Sequence, residues 1–262
     1  MSELVINILY LIYLGSQLIT SIFLLIRTIK LKQFNLIFLV LFFFLNPLEV
    51  IFILIVGSSA IINMLSNISL VIFTKYTFFR EKKSPFLFLL ISLVIIKVTD
   101  FFLKVFIPFS LPLNFILTPL EVPFFYLYLI LTSLSVLLSY LWLGLASLKY
   151  YKLIKIENVE PWIKKRYLII GYSSLIITLN SIVYLLFPTN TYDWEAIFPF
   201  TLGLLLTINT TIFSLSNLVA WIMPQKLKNY FNKDYQGIVE EDLSEDELMK
   251  TIKEQLDEEV SN

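Results

Sequence analysis

The sequence contains no cysteine and no histidine. Disulfides, thiolate and imidazole metal ligation, Ser-His-Asp and Cys-His nucleophile pairs and an internal phospho-accepting histidine are thereby excluded. Glycine is scarce, with six in 262 residues, which weighs against the broken helices that secondary transporters place at their binding sites. The start, Met1-Ser2-Glu3, lacks a basic segment before an apolar run of full membrane length. The first run therefore reads as a retained helix rather than a cleaved leader.

What is abundant is apolar. Hydrophobic residues make up 58% of the chain, 24 of them Phe, and the mean hydropathy is +0.81. They fall in continuous runs of about 20 residues, the length that crosses a hydrocarbon core of about 30 Å at 1.5 Å per helical residue. The alternating ten-residue segments of a transmembrane barrel are missing. The expected fold is an all-α integral membrane bundle of about seven helices over 1–224, followed by a cytoplasmic acidic tail over 225–262. Charged and proline-rich breaks place the spans near Leu4 to Ile26, Phe34 to Val56, Ala60 to Phe79, Phe86 to Ile107, Phe124 to Leu148, Tyr167 to Phe187 and Ile197 to Met223. Gly57-Ser58-Ser59 is the natural turn in the long run from Phe34 to Phe79.

Basic residues set the expected orientation, because Lys and Arg in short loops are retained on the cytoplasmic side. One set of junctions carries sixteen of them, from Arg27, Lys30 and Lys32 through Arg80, Lys152 and Arg166 to Lys228, and the opposite junctions carry none. That alternation predicts an N-terminus outside, a C-terminus inside and a multi-pass protein of the cell membrane. Zero net charge conceals an asymmetry: residues 240–262 hold ten acidic and two basic residues, leaving ten acidic and eighteen basic before them. Within the tail, Ser244 and Glu247 form a capping box and Leu243 and Leu248 a staple, so a short amphipathic helix is expected. It reads either as a docking helix for a basic cytosolic partner or the bundle's own basic loops, or as a solvated end.

Charges within the spans carry the functional expectation. Lys97, Asp100 and Lys104 recur at i, i+3 and i+7 on one face of the fourth span. Each costs about 2.5 to 3.5 kcal/mol at mid-bilayer, so that face should point into the bundle. Glu49, just after Asn46-Pro47, is the expected partner for Lys97 or Lys104, and Glu121 opens the fifth span. The five read as a ligand, ion or proton site, or as an ion-pair cluster that holds helices together. Stripes of Ser, Thr and Asn, including Asn63, Ser66 and Asn67 on the third span, read as packing contacts between helices. Thr207 and Asn209 are the stripe residues singled out for ligand contact. The apolar, proline-rich loop from Pro108 to Pro123 should lie in the interface or fold over the bundle mouth.

The leading expectation is a non-enzymatic, receptor- or sensor-like bundle holding a small or lipidic ligand in its outer half. A small transporter or channel using the Lys97, Asp100, Lys104 face with Glu49 is the alternative. An enzyme would have to rely on Glu49 with Asp100, around which no hydrolase or transferase motif is found. The bilayer is the expected partner, and no nucleic acid, metal or cofactor is called for.

Overall fold

A computed structural model describes residues 2–56, 60–79, 83–106, 115–116, 121–157, 159–187, 190–191, 197–233 and 235. The tail helix and most of the Pro108 to Pro123 loop lie outside them. Helix α1 runs Ser2–Leu31, α2 Leu36–Val56, α3 Ala60–Phe78 and α4 Phe86–Phe106. Next come α5 Val122–Val136, a π-helical turn Leu137–Leu141, α6 Trp142–Ile154, α7 Pro161–Thr178, α8 Asn180–Leu185, α9 Ile197–Ile222 and α10 Gln225–Phe231. Two-residue strands β1 (Phe115–Ile116) and β2 (Asn190–Thr191) pair antiparallel in the loops before α5 and α9.

Six stretches among the described residues are long and apolar enough to cross a membrane: Asn7–Lys30, Ala60–Phe78, Phe86–Leu103, Val122–Ile154, Pro161–Leu185 and Phe200–Ile222. Helix α2 adds a shorter apolar stretch, Leu36–Phe52. The helices start and stop within a few residues of the expected ends except at two places. The fifth expected span extends through the π-helical turn and α6 to Ile154, and the sixth begins at Pro161 rather than Tyr167. Pro161 has the fixed φ suited to a first helical position. Lys164 Nζ, one turn on, donates to the Lys155 carbonyl at 3.1 Å and the Glu157 carbonyl at 2.6 Å, where α6 ends.

Other ends follow from local chemistry. Lys32, at φ 53°, turns the chain out of α1 in a left-handed conformation. Met223, at φ 39°, does so after α9, and Pro224 disfavours further helix. Helix α2 continues through Pro47, tolerated in lipid where neighbouring groups satisfy the released backbone.

The helices close into a ring in which α1 packs on α2 and α9, α2 on α3, α3 on α6, α6 on α7 and α7 on α9. Helix α4 lies outside that ring against α3 and α5. The surface is greasy: Phe88 is 70% and Leu11 68% exposed. The interior, by contrast, holds Gln17, Thr20, Asn46, Ser66, Ser139, Ser214 and Asn217 beside Phe42, Phe43 and Phe213. That inversion suits a lipid solvent, which supplies no apolar drive for burial between helices. Many buried hydroxyls, among them Thr20, Thr74, Ser174 and Thr178, bond back to the carbonyl four residues earlier. Fewer join helices: Ser133 donates to the Ser181 carbonyl at 2.7 Å, Ser147 to that of Tyr167 at 2.8 Å, and Ser16 bonds to Ser214.

Glycine decides one contact. A Cβ on Gly171 of α7 would come within 2.6 Å of both Cγ and Cδ2 of Leu148 on α6, and one on Gly144 would meet the Gly171 carbonyl at 3.3 Å. The two backbones approach this closely because neither position carries a side chain.

Tyr150, Ile154, Trp162, Tyr167 and Met223 form one cluster, joined by Leu227 and Phe231 of α10. It gathers the end of α6, the start of α7, the end of α9 and α10, with Phe78 from the end of α3 packed edge-to-face with Tyr150 and Tyr167. The basic junctions thus meet at one end of the bundle, called the basic end below.

Candidate functional site

In the half of the bundle away from the basic end, polar side chains of α1 to α4 form two hydrogen-bonded groups, the larger on α2, α3 and α4. Asn63 of α3 is its hub. Its Nδ2 donates to both carboxylate oxygens of Glu49 on α2 at 2.9 Å, and its Oδ1 accepts from Lys97 Nζ on α4 at 2.6 Å. Asn67, one turn along α3, donates to the Asn63 backbone carbonyl at 2.8 Å and to its Oδ1 at 3.2 Å. The second group is separate and runs from α3 through α2 to α1: Ser66 donates to Asn46 Oδ1 at 2.6 Å, and Asn46 Nδ2 to Gln17 Oε1 at 3.4 Å.

The amide at Asn63 connects a carboxylate with an ammonium, donating to one and accepting from the other. A side-chain amide does this without a charge of its own, with its donor hydrogens on one atom and its acceptor on another. Lys97 and Asp100 are 4% and 3% exposed, so the charged face of α4 is turned inward, as the cost of ionisable groups in hydrocarbon requires. Glu49 is half-buried. Its field reaches the phenols of Tyr10 and Tyr13 on α1, Tyr140 in the π-helical turn and Tyr184 on α8. One carboxylate thus acts at a distance on tyrosines of three other elements.

The remaining singled-out residues lie elsewhere. Lys104 is on the last turn of α4, and its side chain is outside the described set. Glu121 stands at the N-cap of α5, where its carbonyl accepts from the Phe125 N–H at 2.9 Å. Thr207 donates to the Gly203 carbonyl of its own helix at 2.8 Å. Asn209 instead donates to Asn180 Oδ1 at 2.8 Å, joining α9 to the start of α8, one turn before Tyr184. Asn209 thus belongs to a seam between α8 and α9, and neither it nor Thr207 bonds to the Glu49, Asn63 and Lys97 system among the described residues.

In the sequence Asn63 reads as a packing residue, and Gln17, Asn180 and the tyrosines do not stand out. A signal for Asn63 was present: Asn63 and Asn67 recur one turn apart opposite the only carboxylate of α2. Nothing in a Leu- and Phe-rich run marks which tyrosines will converge. The π-helical turn is also invisible in the sequence; it places Ser139, fully buried, in the core with no hydrogen-bond partner for its hydroxyl among the described residues. Among the described residues, no group of His, Cys, Asp and Glu could hold a metal ion.

At the basic end, Arg166 of α7 is 1% exposed. Its guanidinium lies 4.6 Å from the Trp162 ring and 5.5 Å from that of Trp221, and its Nε donates to the Ala220 carbonyl at 3.2 Å. The loop cation expected from the sequence is thus an internal tie between α7 and α9.

No family model, curated protein or solved structure matches the chain.

Proposed function

We propose that the chain is a seven-span, receptor- or sensor-like protein of the cell membrane, N-terminus outside and C-terminus in the cytoplasm, and not an enzyme. In this reading it binds a small or lipidic ligand in the outer half and signals through its basic loops and acidic tail. The observation that carries it is the Glu49, Asn63 and Lys97 system on three helices. A ligand offering its own donor to Glu49 or acceptor to Lys97 competes with Asn63 for them. Such exchange alters how α2, α3 and α4 are held, and α3 and α4 flank the loop at the basic end, with Lys75 in the last turn of α3 and Lys83 just before α4. The tail is available for a basic cytosolic partner.

A second reading, a small transporter or channel that moves an ion or proton along the Lys97 and Asp100 face, draws on three helix irregularities. Pro47 lies within α2, the π-helical turn joins α5 to α6, and Leu179 separates α7 from α8. Such interruptions accompany sites at membrane depth.

The absence of cysteine makes the test direct. Single cysteines at Tyr13, Asn63 and Tyr184 are labelled in intact cells and in inverted vesicles with a membrane-impermeant thiol reagent. Labelling from outside only supports the receptor reading, labelling from both sides supports transport, and labelling from neither removes an open site.

A further inference from the structure

We infer that a cleft at the basic end, between α1, α7 and α10, binds the phosphate of an anionic phospholipid. This is separate from the Glu49 system and stands whichever function that system serves. The cleft has a volume of about 360 Å³ and is lined by Arg27, Lys30 and Lys228 together with Trp162, Phe23 and Ile222.

Three features select a lipid rather than a soluble anion. First, Phe23, Arg27 and Lys30 lie at i, i+4 and i+7 on one face of α1, covering about 10 Å of helix axis at 1.5 Å per residue. The lining therefore changes from apolar to cationic towards the end of a hydrophobic helix, which is how a phospholipid changes from acyl chain to headgroup. Second, Lys228 is held in place. Its Nζ lies 4.2 Å from the centre of the Trp162 ring, Leu227 and Phe231 pack on the adjoining aromatic cluster, and Asn232 Oδ1 accepts from the Trp162 N–H at 3.3 Å. Third, Trp162 has both an apolar ring and a polar edge, whose Nε1 donates to Glu160. Such rings sit at headgroup level. Basic pockets between helices at a membrane surface bind anionic headgroups.

The test uses the full-length protein in detergent, examined by native mass spectrometry. The probes are dioleoylphosphatidylglycerol, dioleoylphosphatidylcholine and inorganic phosphate. Phosphatidylglycerol should be retained in preference to phosphatidylcholine, and the combined variant Arg27→Gln, Lys30→Gln, Lys228→Gln should lose that preference by about fivefold per cation removed. The matched variant Lys149→Gln, Lys152→Gln, Lys155→Gln, with the same charge change on exposed positions of α6 and its end, should keep it. Should the triple cleft variant not fold, Lys228→Gln alone, on a surface helix, should still give about a fivefold loss. Equal loss in both triple variants would overturn the assignment in favour of diffuse basic charge. Retention of inorganic phosphate matching that of the lipid would make the cleft a soluble-anion site. Lipid binding that appears only after residues 236–262 are deleted would make the acidic tail its occupant, and either result overturns the inference.

Discussion

Lys97 Nζ donates to Asn63 Oδ1 at 2.6 Å, and through the same amide the ammonium is linked to Glu49. The charged face of α4 is thus joined to α2 by a neutral residue of the helix between them. A neutral relay keeps both charges in defined geometry while leaving their bonds open to exchange, since a hydrogen bond to a charged group contributes only about 1.5 to 3 kcal/mol net. A direct buried ion pair would hold more tightly once formed.

Topology is the broadest prediction. A reporter fused after Asn262 should be protected in intact cells, and a tag placed before Leu4 should be accessible to antibody from outside. Both ends on one side would remove the seven-span arrangement. Deleting residues 236–262 should leave membrane insertion and the thermal midpoint of the bundle unchanged, because the apolar helices end with α9 at Ile222.

Close packing of α6 on α7 gives a second. Gly171→Ala should lower stability by about 1 to 3 kcal/mol, the usual cost of overpacking, since its new methyl would meet Leu148 at 2.6 Å. Leu148→Ala in the same chain removes the obstructing atoms and should restore part of the loss. Thermal unfolding in detergent reads both, and a stable Gly171→Ala protein would show that the helices can separate at no cost.

Arg166 gives a third. Arg166→Lys preserves the charge but loses the flat guanidinium beside Trp162 and Trp221 and the Nε bond to Ala220. A loss of about 1 to 2 kcal/mol is expected, because arginine and lysine are not equivalent at a stacked site. Unchanged stability would show that charge alone suffices there.

The helices were legible because each apolar run is itself a membrane-length segment. Two ends were hidden by charge: Lys149 and Lys152 lie on exposed positions of a helix whose Tyr150 and Ile154 are buried, so average hydropathy fell before α6 did. Lys164 and Lys165 masked the start of α7 in the same way. The inward turn of Lys97 and Asp100 followed from i, i+3 spacing and the cost of charge in lipid. Asn63 as hub did not, because its role depends on α2 and α4 both packing on α3 within reach of that one side chain, which no periodicity records. The basic cleft was half legible: its cations were visible as a topological signal, whereas their convergence from residues 27, 30 and 228 is a property of the closed ring.

The relay itself supplies the most discriminating prediction. Glu49 is half-buried, so Glu49→Gln should cost about 2 kcal/mol, less than the 3 to 5 of breaking a fully buried pair and more than an exposed one. Lys97→Met in the same chain should return part of that loss, because the ammonium no longer requires an opposing charge. The coupling energy from the double-mutant cycle, read as unfolding free energy in detergent, should therefore exceed about 0.5 kcal/mol. Repeating the cycle in an Asn63→Ala background tests the route. If the amide carries the interaction, the two substitutions should become additive once it is gone, although each still has its own effect. If the coupling survives Asn63→Ala undiminished, Glu49 and Lys97 interact without it, and α3 is a spacer between the two charges. If there is no coupling in either background, the carboxylate and the ammonium are independent. The proposed ligand site would then lose the link by which binding at Glu49 reaches α4.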